Sequence, residues 1–195
     1  HFALEELFSL RDIVVSTPPE VAAAIKKSKA ISEVLSGKGE AEVLSSVTVN
    51  VGLIGGGQAP NLVAETASST LDIRIPVGLK VLDIEEKIEF LLTPLLNVSY
   101  NIQRRYEPNW TSPKHEIIQL TAENCREVLN VEPAINMRVG ASDSRLYRML
   151  NVPSVVCGLT PYNMGGPDEF VNLSDLIAVG KIHALTAFDY LQKQI

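Results

Sequence analysis

Apolar positions change their spacing several times along the chain, and each change marks an element. Phe2, Leu4, Leu7, Phe8, Leu10 and Ile13 recur at helical intervals, with no capping residue before them. They read as a helix entered midway, either an ordinary amino-terminal helix or the start of a piece of a longer protein. Thr17-Pro18-Pro19-Glu20 then opens a second helix through VAAAIKKSKAISEVL, which stops at Gly37-Lys38-Gly39. From residue 45 the period falls to two. SSVTVNVGLI and NLVAETASSTLDIRIP, separated by Gly55-Gly56-Gly57, predict an antiparallel pair of strands with Leu71, Ile73 and Ile75 on one face. VLDIEEKIEFLLTPLL predicts an amphipathic helix and VSYNIQRRY a further strand, so residues 40–106 read β-β-α-β. With a leading helix, this is a ferredoxin-like α+β unit.

EPNWTSP has two prolines and no periodicity, which predicts a hinge and divides the chain into domains 1–107 and 108–195. Beyond it, a helix (HEIIQLTAENCREVLN), a strand (AINMRV), a short helix (DSRLYRML), a strand (PSVVCGL), a glycine-rich loop and a final helix alternate as α/β layers do. Two or three strands make about half of an ordinary α/β domain, so this sheet is expected to need strands that the chain does not contain.

Composition narrows the function classes. The chain has 195 residues, 46% hydrophobic and 21% charged, with a formal net charge of −6 and scattered basic residues. That argues against nucleic acid, whose binding draws on clustered Lys and Arg. Apolar runs fall short of the roughly 20 residues that span a bilayer, and the acidic first stretch is no signal peptide. The expectation is a soluble, cytoplasmic protein. Cys125 and Cys157 sit in apolar segments as free thiols, with a disulfide possible.

Few residues announce chemistry. VGLIGGGQAP is followed by a strand instead of a helix amino terminus, so it reads as a hairpin connection and not as a phosphate cradle. In VGASDSRLYR, Gly140, Ala141 and Ser142 lead into a helix capped by Ser142 or Asp143, with Arg145 in its first turn. A guanidinium beside free amides can grip a carboxylate with two parallel hydrogen bonds; the alternative is a capped helix with a surface arginine. Asn61 and Arg74 share either a polar strand face with a ligand role or a merely solvated one. His1, His115 and His183 stand at no metal-ligand spacing. His115 is expected to cap or pack, and no nucleophile turn is present.

Residues from about Thr48 to Leu191 resemble the carboxy-terminal part of the di-zinc amidohydrolase and exopeptidase family that includes acetylornithine deacetylase, succinyl-diaminopimelate desuccinylase, aminoacylase and the glutamate carboxypeptidases. TVNVGLIGGGQAPNLVAETASSTLDIR is similar to the lid segment in which an Asn and a later D-x-R arginine follow glycines. EPNWTSPKHEIIQ resembles the return hinge, GASDSRLYR the G-G-T-D-x-R loop, and NVPSVVCGLTPYNMGGPDEFVNLSDL the closing strand, ligand loop and last helix. The resemblance implies a ferredoxin-like lid, or dimerisation domain, followed by a partial α/β catalytic domain. It further implies that Asn61 and Arg74 reach the substrate from the lid, and that Arg145 with the backbone of Gly140 to Ser142 binds its carboxylate. The substrate would be a small N-acyl amino acid or a peptide, hydrolysed at an amide bond by two zinc ions and a glutamate base, and the lid would pair with its twin in a homodimer.

The departures matter as much. Nothing in residues 1–50 resembles the family's H-x-D strand, bridging Asp or Glu-Glu pair, and the ligand histidine of the H-G-P-D-E loop is replaced by Gly165 in PYNMGGPDEF. Glycine offers no side chain to a metal. The expectation is therefore a fragment of a metal-dependent amidohydrolase with no catalytic residue and no metal ligand of its own, or else a catalytically inactive relative serving as a dimerisation and carboxylate-binding module.

Overall fold

The computed structural model describes residues 2–138, 140 and 142–193, with Leu35 and Ser36 described by their backbone alone. Expectations resting on His1, Val139 and Ala141 lie outside the described residues. Two compact units divide the chain, His1–Pro18 with Ala41–Pro108, and Pro19–Glu40 with Asn109–Ile195. The break after Pro108 falls within the predicted hinge. The second helix, which the sequence reading assigns to the first domain, groups instead with the second unit, where Ser112 Oγ donates to Glu20 Oε2 at 2.8 Å.

In the first unit, α1 (Phe2–Phe8) runs into a 3-10 turn at Ser9–Asp12, and α3 (Glu40–Val43), which belongs to this unit from Ala41 on, precedes the hairpin of β1 (Thr48–Gly56) and β2 (Ala67–Arg74). The strands pair antiparallel, from Thr48 opposite Arg74 to Gly56 opposite Ala67, with a register shift between Val51 and Leu53. Helix α4 (Val81–Leu92) completes the unit. The periodicities explain the core. Leu7, Leu10, Val47, Val49, Ile84, Ile88 and Leu92 are buried together, and Leu71, Ile73 and Ile75 pack against them. Ile84, Ile88 and Leu92 lie one helical turn apart, and Leu71 and Ile73 alternate with outward Asp72 and Arg74, so each element turns its apolar face inward. Gly78, at φ +115°, sits where an added Cβ would lie 2.5 Å from the Ser16 carbonyl oxygen, a close approach that only glycine permits.

The third lid strand does not form. Residues 98–106 run without ladder hydrogen bonds. They are tied to α4 by side chains: Tyr100 Oη donates to Glu89 Oε2 at 2.6 Å and Arg105 Nη2 to Glu85 Oε2 at 2.8 Å. Among the described residues, the sheet consists of β1 and β2. The fold class is mixed helix and strand as expected, with a smaller sheet.

The second unit holds α2 (Pro19–Ser36), α5 (Glu116–Leu129), α6 (Ser144–Met149) and α7 (Leu173–Gln192). Val21, Ile25, Ser28 and Ser32 form the buried stripe of α2. Helix α5 packs on α7. The predicted strands at 134–139 and 153–159 are not laddered over their described residues, because a strand forms only where a neighbour supplies its hydrogen bonds. No described helix is long and apolar enough to cross a membrane.

Candidate functional site

The loop before α6 carries the predicted site residues Ser142 and Arg145. Ser142 Oγ accepts from the Ser144 amide at 3.3 Å and lies 2.8 Å from Ser144 Oγ, so Ser142 serves the helix start, while Asp143, the residue flanking the helix, makes no side-chain cap. The Arg145 amide and its Nη1 both donate to the Ser142 carbonyl, at 3.0 and 3.1 Å. Its side chain is 27% exposed, and Asp143 Oδ1 lies 3.8 Å from Nη1. The guanidinium is thus folded back over its own loop, with Nη1 spent on the Ser142 carbonyl. Gly140 leaves open space where a side chain would stand.

Sequence reasoning missed what holds this loop. Asn109 Nδ2 donates to the Arg145 carbonyl at 3.1 Å, and Asn109 Oδ1 accepts from Arg148 Nε at 2.8 Å. Thr111 and Ser154 exchange two hydrogen bonds of 2.9 Å each. Arg148, whose guanidinium also reaches the Ser154 carbonyl, has its pKa lowered by burial. The visible signal was the polar Asn109 and Thr111 inside the proline-flanked hinge, which names no partner.

The PYNMGGPDEF loop is a closed hairpin. Tyr162 and Phe170 exchange backbone hydrogen bonds of 2.8 and 3.3 Å, and their rings stack with centroids 4.7 Å apart. Inside it, Gly165 has φ +74°, and its amide donates to Glu169 Oε2 at 3.1 Å. Among the described residues, no group of three or more His, Cys, Asp or Glu side chains could hold a metal ion. The described residues therefore do not fit a metal centre.

On the first unit, Arg74 ends β2, with Nε 2.9 Å from Asp72 Oδ2 on the outer face. Asn61 opens no strand; it is an exposed turn residue in the connection between β1 and β2. Seven steps of about 3.3 Å separate Ala67 from Arg74, so the two ends of β2 stand about 23 Å apart, and Asn61 belongs to the end away from Arg74. The expected common polar face does not exist. Loop residues 57–66 lack the alternation that would have carried Asn61 into the ladder. His115 caps α5, its Nδ1 accepting from the Ile117 amide at 3.2 Å, as expected.

Residues 12–98 match the family described as peptidase dimerisation domain, the dimerisation domain of the M20 peptidases. That segment is similar to an M20 peptidase dimerisation domain. That is the family whose motifs the sequence resembles. The fold is similar to that of the M20 family metallo-carboxypeptidase Sso-CP2 from Sulfolobus solfataricus, with a TM-score of 0.71 and 18% identity. The likeness covers 94% of this chain and 51% of that one, so the chain spans about half the length of the carboxypeptidase. At that identity it speaks for the fold alone. No curated protein matches the sequence.

Proposed function

We propose that this chain is the lid and carboxy-terminal catalytic-domain part of an M20-type hydrolase that cleaves an amide bond in an N-acyl amino acid or peptide, next to a free carboxylate. The observation that carries the reading is the likeness of both units, over 94% of the chain, to the fold of a metallo-carboxypeptidase. In this reading Arg145, with the Gly140–Ser142 backbone, receives the substrate carboxylate through paired charge-assisted hydrogen bonds. Asn61 and Arg74 act from the lid. Their placement at opposite ends of one hairpin supports a homodimer in which they meet different substrate molecules, and the exposed Leu53, Ile54 and Val63 supply apolar surface for lid pairing. Titration of N-acetyl amino acids into the full chain should show saturable heat that Arg145→Ala removes; an unchanged affinity in that variant overturns the role of Arg145.

Gly165 favours a second reading, a catalytically inactive relative that keeps dimerisation and carboxylate binding. The position has room for a side chain, and histidine is among the residues enriched at positive φ, so the backbone does not forbid an imidazole there. Metal analysis of the purified chain is expected to find no stoichiometric zinc. Tightly held zinc would sink this second reading.

A further inference from the structure

Cys125 and Cys157 belong to neither the carboxylate loop nor the lid, yet they meet. Their sulfurs lie 3.6 Å apart and both are free thiols. Cys125 is buried on α5, whereas Cys157 is half-buried in an extended segment with no ladder to hold it in place. Cys157 also borders a cleft of about 260 Å³ that it shares with Ile117, Thr121, Val155, His183 and Thr186. His183 Nε2 lies 2.7 Å from the Cys157 carbonyl oxygen; since a carbonyl only accepts, this nitrogen carries the proton and pins the peptide beside the cleft.

We propose that Cys125 and Cys157 form a redox-active pair that closes into a disulfide on reaction with a small-molecule disulfide. The sulfurs need to approach by about 1.5 Å to reach bonding distance of about 2.05 Å, a movement that side-chain rotation and the unladdered 152–160 segment can supply. The Cys157 thiolate, facing the cleft, attacks one sulfur of the oxidant, forming a mixed disulfide and expelling one thiolate. Cys125 then loses its proton and attacks the Cys157 sulfur, expelling the second thiolate. Two protein thiols are oxidised, one disulfide is reduced to two thiols, and the two cysteine protons pass to the leaving thiolates. Burial, followed by the neighbouring Cys157, pushes the Cys125 thiol up to about 12, which assigns the first attack to Cys157.

The crosslink closes the chain from residue 125 to residue 157, a loop that contains α6 and Arg145. It would tether this segment to α5 whether or not Arg145 binds substrate.

The test is to incubate the full native chain with oxidised glutathione and follow intact mass, free thiols and the peptides released by trypsin without reduction. Expected are the loss of both thiols and of the mass of two hydrogens, a peptide linking Cys125 to Cys157 within one chain, and a rise of about 5–10 °C in the unfolding midpoint, reversed by reductant. Cys125→Ala should instead stop at a stable glutathione adduct on Cys157. Retention of both thiols, a stable glutathione adduct on the native chain, or a disulfide only between chains overturns the pair.

Discussion

The two units bury their chain in different currencies. The first closes a wholly apolar cluster over Leu10, Val47 and Ile84, drawn from two helices and a hairpin whose strands satisfy each other along β1 and β2. The second buries Thr121, Asn124 and Thr186 among its apolar residues, and its extended segments find no strand partner among the described residues. Asn124 illustrates the consequence. It is 3% exposed, and its Nδ2 donates to the Leu120 carbonyl at 3.0 Å and to Asp189 Oδ2 at 2.9 Å, binding α5 to α7 through a polar network. An apolar cluster tolerates imperfect geometry at a graded cost. A buried polar network is favourable only when every member is satisfied.

Substitutions should separate the two modes. The largest effect is expected from Leu10→Ala, which empties a fully buried position in the first unit and should cost about 2–5 kcal/mol in denaturant unfolding. A cost under 1 kcal/mol would mean that this cluster is not the core. Asn124→Ala leaves Asp189 without its buried donor and should cost about 1–3 kcal/mol, with loss of amide-exchange protection concentrated in α5 and α7. Protection lost equally in the first unit would contradict the division between the two.

The smallest expected effect is the share of the alkaline pH dependence that comes from Cys125 in the second unit. The Cys125 thiol titrates above its ordinary value because burial favours the neutral form. Its folded pKa is therefore raised, and the stability linked to it is complete below about pH 9 and lost as pH climbs toward 12. Unfolding midpoints measured at about pH 8 and pH 10.5 should fall further in the native chain than in Cys125→Ala. Equal falls would remove Cys125 as the cause.

Legibility followed the range of the interactions. The helices over α2, α4, α5, α6 and α7 were readable because their apolar spacing and stop signals are local, as was the antiparallel hairpin around the glycine run. The strands predicted at 98–106, 134–139 and 153–159 are absent over their described residues because β propensity describes a fit to a sheet, while a ladder needs a partner that propensity does not supply. Likewise Arg145 was legible as a candidate from its glycine-rich approach, but Asn109, Arg148 and Thr111, some 36 to 43 residues from their partners in the chain, were not.

From residue order alone came the helices and the hairpin, the expected boundary after residue 107, the resemblance to a lid and partial catalytic domain, and the glycine standing at the ligand position of PYNMGGPDEF, since each rests on neighbouring residues. Tertiary structure alone decided that α2 belongs to the second unit, that Asn61 and Arg74 sit at opposite ends of a hairpin, and that Cys125 meets Cys157 across 32 positions. Those outcomes depend on which distant surfaces pack, and packing is selected by the whole buried set at once, not by any stretch read in order.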